Sequence, residues 1–362
     1  MIKMSNRLLI ILIFTSSLAI ILFLNSLLVS KREPNRPSET TISDLVRNEA
    51  ITTRIPGISK QKNLSIHNSE DKDEATQLFE KFDLKIPSRD EFENLILSDE
   101  KIETMIAAGI ILKDPSFFHA ALELNPNNPH VFFLLAQENS ISSDKKLTFA
   151  RNLLEIQPDN LVASYLLSSI QIELGEFDPS IKTLLETNKQ NSFNDFFEET
   201  ATIIKNCLLE FDNSEAGASL YSIFNMPVPM AVKYRQISKF LSENQAQLEE
   251  QAIQTRKLIA EIGSNLVNQR GLIINELVGI SIQKMAMDNM DDEDPSPFEG
   301  MNIIQAKKNL ELQKKEIRDS AATDIFQISD LDHETIVKWT DLILEKGEFE
   351  ANGWIKSKLS SQ

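Results

Sequence analysis

Cysteine is almost absent: Cys207 is the only one in 362 residues, which excludes an internal disulfide, a cysteine-built zinc cage and a CxxC redox motif. It lies in the apolar-rich run Ile203–Leu209, where a buried small side chain is expected. No cysteine stands just after the apolar N-terminal run, so a bacterial lipid anchor lacks its attachment residue. Glycine is scarce at 10 residues beside 13 prolines, which excludes collagen-like and low-complexity chains and suits helices. Nucleotide-binding G-x-G-x-x-G and G-x-x-x-x-G-K-[ST] strings are missing, as is the G-x-S-x-G of a hydrolase nucleophile elbow. Basic residues are in deficit, with 37 Lys and Arg against 54 Asp and Glu and a formal charge of −17. A surface of that sign repels phosphate backbones, so no nucleic-acid partner is expected. The clearest basic run, Lys307, Lys308, Lys314, Lys315 and Arg318, is interleaved with Glu311, Glu316 and Asp319 and reads as a solvated helix face.

The longest uncharged stretch runs from Leu8 to Val29 and is rich in Leu and Ile. As a helix, its 22 residues would extend about 33 Å, enough to cross a bilayer core of about 30 Å. It ends Asn25-Ser-Leu-Leu-Val-Ser-Lys31 with no A-x-A-like cleavage site, which favours an uncleaved signal-anchor over a signal peptide. The expectation is therefore a short tail over 1–7 and a transmembrane anchor over 8–29 meeting the lipid bilayer. A polar linker over 30–73 follows, rich in Ser and Thr and carrying Pro34 and Pro37. Residues 1–32 hold Lys3, Arg7, Lys31 and Arg32 and no acid. Removing these four leaves 33 basic against 54 acidic residues, a balance of −21 for the remainder. Cations flank the apolar run on both sides and discriminate orientation poorly. The expected topology is single-pass, with the soluble domain on the extracytoplasmic side.

Beyond residue 73 helix-start signals recur. Ser88-Arg-Asp-Glu91 has capping-box spacing, and Asp114-Pro115 and Asn128-Pro129 place a cap before a proline suited to a first helical turn. Alternating strand patterns are scarce, so the fold class expected is all-α. Ala121-Leu-Glu-Leu-Asn-Pro-Asn-Asn128 and Asn152-Leu-Leu-Glu-Ile-Gln-Pro-Asp-Asn160 are similar strings whose prolines, Pro126 and Pro158, stand 32 residues apart. Thr183-Leu-Leu-Glu186 echoes the second, a period that fits a helix–turn–helix repeat.

Over residues 115–186 the chain resembles the tetratricopeptide repeat family. Ala121–Asn128 matches the A-L-E-L-x-P-N-N ending of that repeat, and Gly175-Glu-Phe-Asp-Pro-Ser-Ile181 approximates its G-D-Y-x-x-A-I turn. The first complete unit is two residues short near Ser140–Asp144, and Ser180 replaces the usual Ala. The resemblance implies stacked helix pairs in which small Ala136 and Ser168 permit close approach and Leu135, Leu153, Leu167 and Leu184 fill the layer between. It also implies a concave groove presenting His130, Phe133 and Gln137, then Val162, Tyr165, Ser169 and Ile172. This is the candidate site for a protein or peptide partner. Equally open is that these residues pack against another helix of the same chain. The repeat region is placed at 74–229, with Phe193, Phe196, Phe197, Ile203, Leu208, Leu220 and Phe224 supplying further layers. A C-terminal helical subdomain is placed at 230–362, where two long helices are expected from Val232 to Met290, broken near Gly263 and Arg270-Gly271. Trp339 and Trp354 are expected to dock the tail.

No catalytic, cofactor-binding or metal residues emerge. His333-Glu334-Thr-Ile-Val337 begins like H-E-x-x-H, but Val337 stands where the second imidazole is required, so a helix cap at Asp332 or His333 is expected instead. Asp288, Asp291, Asp292, Glu293 and Asp294 lack the turning glycine and the closing acid of a calcium loop. The function these features imply is a membrane-anchored helical-repeat scaffold or adaptor for protein–protein interaction. The alternatives are an envelope enzyme, such as a hydrolase, with an unrecognised carboxylate site, and a structural module of a larger membrane assembly.

Overall fold

A computed structural model describes residues 79–187, 192–225, 229–244, 252–269, 271–321 and 331–359, which belong to one compact unit, Leu78–Gln362. Among these residues the regular elements are helices, and the one extended pairing is an isolated bridge between Asn160 and Ser192. The all-α expectation holds for this part. The membrane-spanning part does not: among the described residues no helix is long and apolar enough to cross a membrane. The most apolar helix, Ile102–Ile111, has ten residues and reaches only about 15 Å, half a bilayer core. The apolar run Leu272–Ile282 carries Asn275 and Glu276 within a helix of 13 residues. The single-pass topology and its extracytoplasmic localisation are corrected accordingly. The tail, the 8–29 run and the 30–73 linker lie outside the described residues.

Numbered from Arg89 among the described residues, the helices are α1 (Arg89–Asp99), α2 (Ile102–Ile111), α3 (Ser116–Leu124), α4 (Pro129–Gln137), α5 (Ser143–Ile156), α6 (Leu161–Glu173), α7 (Phe177–Glu186), α8 (Phe197–Leu209) and α9 (Glu215–Phe224). The remaining six are α10 (Pro229–Glu243), α11 (Ala252–Asn268), α12 (Ile273–Met285), α13 (Ile303–Ala321), α14 (His333–Lys346) and α15 (Glu348–Leu359). Their starts follow local chemistry. Ser88 and Glu91 form the capping box of α1, and Asn128 accepts from the Val131 N–H with Pro129 in the first turn of α4. Asp114, two residues ahead of α3, accepts from the Ser116 N–H. Asp332, not His333, caps α14 through the Thr335 N–H.

Consecutive helices pack on their sequence neighbours through α4, α5, α6 and α7. Helix α4 opens at Pro129 and α6 at Leu161, which reproduces the 32-residue period. Ala136, Leu135, Leu153, Leu167, Leu184 and Ser168 are all buried in the layers. Ser180 is buried as well, its hydroxyl 2.7 Å from that of Ser168, so the two polar groups satisfy each other inside the α6–α7 contact. Ser180→Ala is expected to cost about 1–2 kcal/mol by leaving Ser168 unpaired, whereas the double change to Ala is expected to be nearly neutral. Urea unfolding of the single and double variants checks the pair.

After α7 the chain turns back. Helix α8 packs on α2, α10 on α6, and α9 on α14, so one core runs from Phe82 to Ile355. Segments before and after residue 230 share that core. Within 230–290 three helices stand where two were expected. Gly263 lies inside α11 rather than at a break. It faces Gly279 of α12, and a Cβ on either glycine would sit 2.6 Å from the other's carbonyl oxygen. A second, smaller apolar cluster joins α12 to α13 through Ile273, Ile280, Met287, Ile303, Leu310 and Ile317. In the tail Trp339 is buried and its indole N–H donates to Asn352. Trp354 stays half-exposed with the Lys338 and Lys358 ammonium groups over its ring. Phe224, expected inside, is 43% exposed at the end of α9.

Candidate functional site

The expected groove residues sit on α4 and α6 as anticipated, but they do not face open solvent. His130, Phe133, Val162, Tyr165 and Ser169 are buried, while Gln137 and Ile172 are half-buried. Later parts of the same chain cover them. Phe196, at the start of α8, stacks on the His130 ring at 5.0 Å and 9° and meets Phe133 at 5.0 Å. Tyr234 of α10 makes an edge contact with Tyr165 at 5.5 Å, and Asn265 of α11 donates to the Tyr165 hydroxyl at 3.2 Å. Lys233 of α10 reaches Ser169 at 3.4 Å and pairs with Glu173 at 3.1 Å. The physical reason is ordinary: a face this rich in aromatic and aliphatic groups is stabilised by covering it, and Phe196 and Tyr234 supply apolar rings that do so.

Polar groups within the covered face are organised. Thr200 donates its hydroxyl hydrogen to the Phe196 carbonyl at 2.6 Å, and the same oxygen lies 2.8 Å from His130 Nε2. His130 Nδ1 meets the Glu199 carboxylate at 3.2 Å, and that hydrogen bond holds Glu199 below the usual carboxylate range. The chain Glu199–His130–Thr200 has the residue types of a nucleophile relay but not its polarity. The hydroxyl is spent on a backbone carbonyl and is buried, so it is not poised for attack. Phe196 holds a left-handed backbone at φ 59°, a conformation costly for an aromatic residue and retained here because its ring is enclosed between His130 and Phe133. Asp195, half-buried beside it, accepts from the Phe197 N–H and from Gln269, and burial pushes its carboxyl up. Cys207 is buried with its thiol pushed up to about 12, mainly by desolvation, which makes it unreactive. Among the described residues no group of His, Cys, Asp and Glu is placed to hold a metal ion, and Asp291–Asp294 form a tight turn closed by the Asp291 N–H on the Asp294 carboxylate.

A pair of carboxylates lies where α12 meets α15. Glu348, the first residue of α15, accepts the Ile273 N–H at 2.8 Å and so caps α12 from 75 residues away. Glu276, one turn into α12, is pushed up to about 7 by burial first and by the Glu348 charge second. For an acid whose folded value lies above its unfolded one, the fold favours the protonated form. Stability is then fully present below about 4.5 and declines as pH rises through 7. Glu276→Gln is expected to raise stability by ~1–2 kcal/mol at pH 8, allowing for its partial exposure, and to change little at pH 4.5. Denaturant melts of both proteins at the two pH values test the sign.

The residues that complete this region, Phe196, Lys233, Tyr234 and Asn265, carry no local signal that ties them to α4 or α6. They lie 60 or more positions downstream, and only the tertiary fold brings them there. In comparisons with known protein families, curated proteins and solved structures, nothing matches this chain.

Proposed function

We infer that this chain works as a scaffold for protein–protein interaction, built on tetratricopeptide-like helix pairs and closed on its concave side by its own later helices. One observation carries the reading: α4–α5 and α6–α7 stack as successive hairpins at a 32-residue interval, with α10 packed on α6, Phe196 at the start of α8 against His130 and Phe133, and Asn265 of α11 on the Tyr165 hydroxyl. Layered helices of this kind spread stability over many neighbours and leave long outer faces for partners. Partner contact is accordingly placed on outer helices rather than on His130, Phe133, Gln137, Val162, Tyr165, Ser169 and Ile172.

The test is photo-crosslinking of the full chain in its own host, with probes placed in separate variants on α4, α6 and the outer helices. The expected result is a recurrent partner protein crosslinked from outer positions and none from Phe133 or Tyr165. A partner captured chiefly from those two positions would overturn the closed-groove reading. A turnover activity lost on Glu276→Gln with folding intact would favour the carboxylate enzyme.

A further inference from the structure

Helix α13 separates charges that its sequence interleaves. At about 100° per residue, Ile303, Ala306, Leu310 and Ile317 fall on the side that packs into the protein, and all four are buried. The five cations Lys307, Lys308, Lys314, Lys315 and Arg318 then fall within about a third of the circumference. Glu311 is the one acid among them, while Glu316 turns to the far flank and Asp319 to the edge. Lys284 of α12 adds a sixth cation from beside the helix and pairs with Glu311. Lys307 pairs with Asp292 at 3.5 Å. Lys308, Lys314, Lys315 and Arg318 have no carboxylate within ion-pair distance among the described residues. Lys314 is held below its usual range by partial burial and by the neighbouring charges of Lys284 and Arg318, so the cations feel one another. A concentration of like charge is unfavourable in isolation, and in a chain of net charge −17 it stands against the prevailing sign.

We propose that this side of α13 is a docking surface for a short carboxylate-rich segment of a partner protein. The stripe from Lys307 to Arg318 is about 17 Å long, the length of roughly five residues of extended chain. The chain's own Asp292 and Glu311 already occupy two of its cations, so carboxylates fit the site geometrically. Ile304, 56% exposed on the same side, offers a seat for one apolar residue of such a segment. A long polyanion fits less well, because it would overrun the stripe of about 17 Å at its Lys307 end onto the acidic turn Asp291–Asp294, whose Asp292 pairs with Lys307. The proposal rests on the scaffold reading and names the chemistry of one partner.

The experiment measures fluorescence anisotropy of a labelled ten-residue peptide of glutamates and two leucines against the full chain and against a K314E/K315E/R318E variant. Binding by the unaltered chain, at least tenfold weaker in the variant and weakened between 50 and 300 mM salt, is the expected result. No binding, or equal binding by both proteins, overturns the proposal. So does tighter binding of a single-stranded oligonucleotide, or a concentration-dependent dimer that the substitutions abolish. Should the triple variant fail to fold, K308E/K315E, both at exposed positions, gives the same reading. The peptide reports on α13 alone. A negative result alongside a partner still crosslinked from other outer helices removes this surface and leaves the scaffold reading standing.

Discussion

Phe133→Ala is expected to lower the free energy of unfolding by about 3–5 kcal/mol, the range for truncating a buried aromatic side chain. The open-groove expectation predicts a different phenotype: a folded protein that has lost a partner. The structure decides between them because Phe133 is 6% exposed and its ring lies 5.0 Å from Phe196, which is itself 2% exposed and stacked on His130. Removing the ring leaves a cavity between α4 and the start of α8. It also withdraws one of the two walls that hold Phe196 at its left-handed φ of 59°. The loss should therefore be reported by α8 as well as by α4. Denaturant unfolding gives the magnitude, and hydrogen exchange should show α8 amides opening earlier than in the unaltered chain.

Gly263→Ala sets two opposing effects against each other. Helix propensity alone predicts a gain of about 1 kcal/mol from replacing a mid-helix glycine. Packing opposes it, since the new Cβ would lie 2.6 Å from the Gly279 carbonyl oxygen and 2.9 Å from the Gln283 backbone nitrogen. Backbone cannot rotate aside as a side chain can, so α11 and α12 must separate and forfeit contacts along their length. The expected net result is a loss of roughly 2–3 kcal/mol. Gly279→Ala should behave alike, because its Cβ would meet the Gly263 carbonyl oxygen at 2.6 Å. The double variant should cost less than the two single losses combined, since the helices need separate only once. Gly353 of α15 has nothing within 4 Å of an added Cβ, and its change to Ala should be neutral or mildly stabilising. Thermal melts of the four variants decide whether close approach outweighs propensity.

Local chemistry was legible in the sequence. The capping box at Ser88 and the Asn128-Pro129 start are short-range signals, and the 32-residue recurrence of Pro126 and Pro158 reflects hairpins that pack on their sequence neighbours. Ser180, which departs from the repeat pattern, is explained only by its contact with Ser168 across the α6–α7 pair. Gly263 was ambiguous for a related reason: a glycine in an apolar helical run reads as a break unless the opposing helix is known. The covered face of α4 and α6 was the largest gap. His130, Phe133, Tyr165 and Ser169 have the composition of a binding surface and of a core alike, and Phe196, Lys233 and Tyr234 lie too far along the chain for periodicity to link them. The segregation of Glu316 from the cations of α13 was present in the sequence as a helical phase, yet the buried face that orients it came from the fold.

Coverage of α4 and α6 by later helices is tested most directly by zero-length carbodiimide crosslinking of the full chain, read by mass spectrometry. Glu173 on α6 and Lys233 on α10 stand 3.1 Å apart, so a Glu173–Lys233 amide is expected. The exposed pair Lys239 and Glu243, 3.6 Å apart within α10, should crosslink whether or not α10 covers α6 and controls for reagent activity. Recovery of both links is the result this account predicts. Recovery of the Lys239–Glu243 link alone, with Lys233 acylated by an amine reagent as fast as exposed lysines, would contradict it.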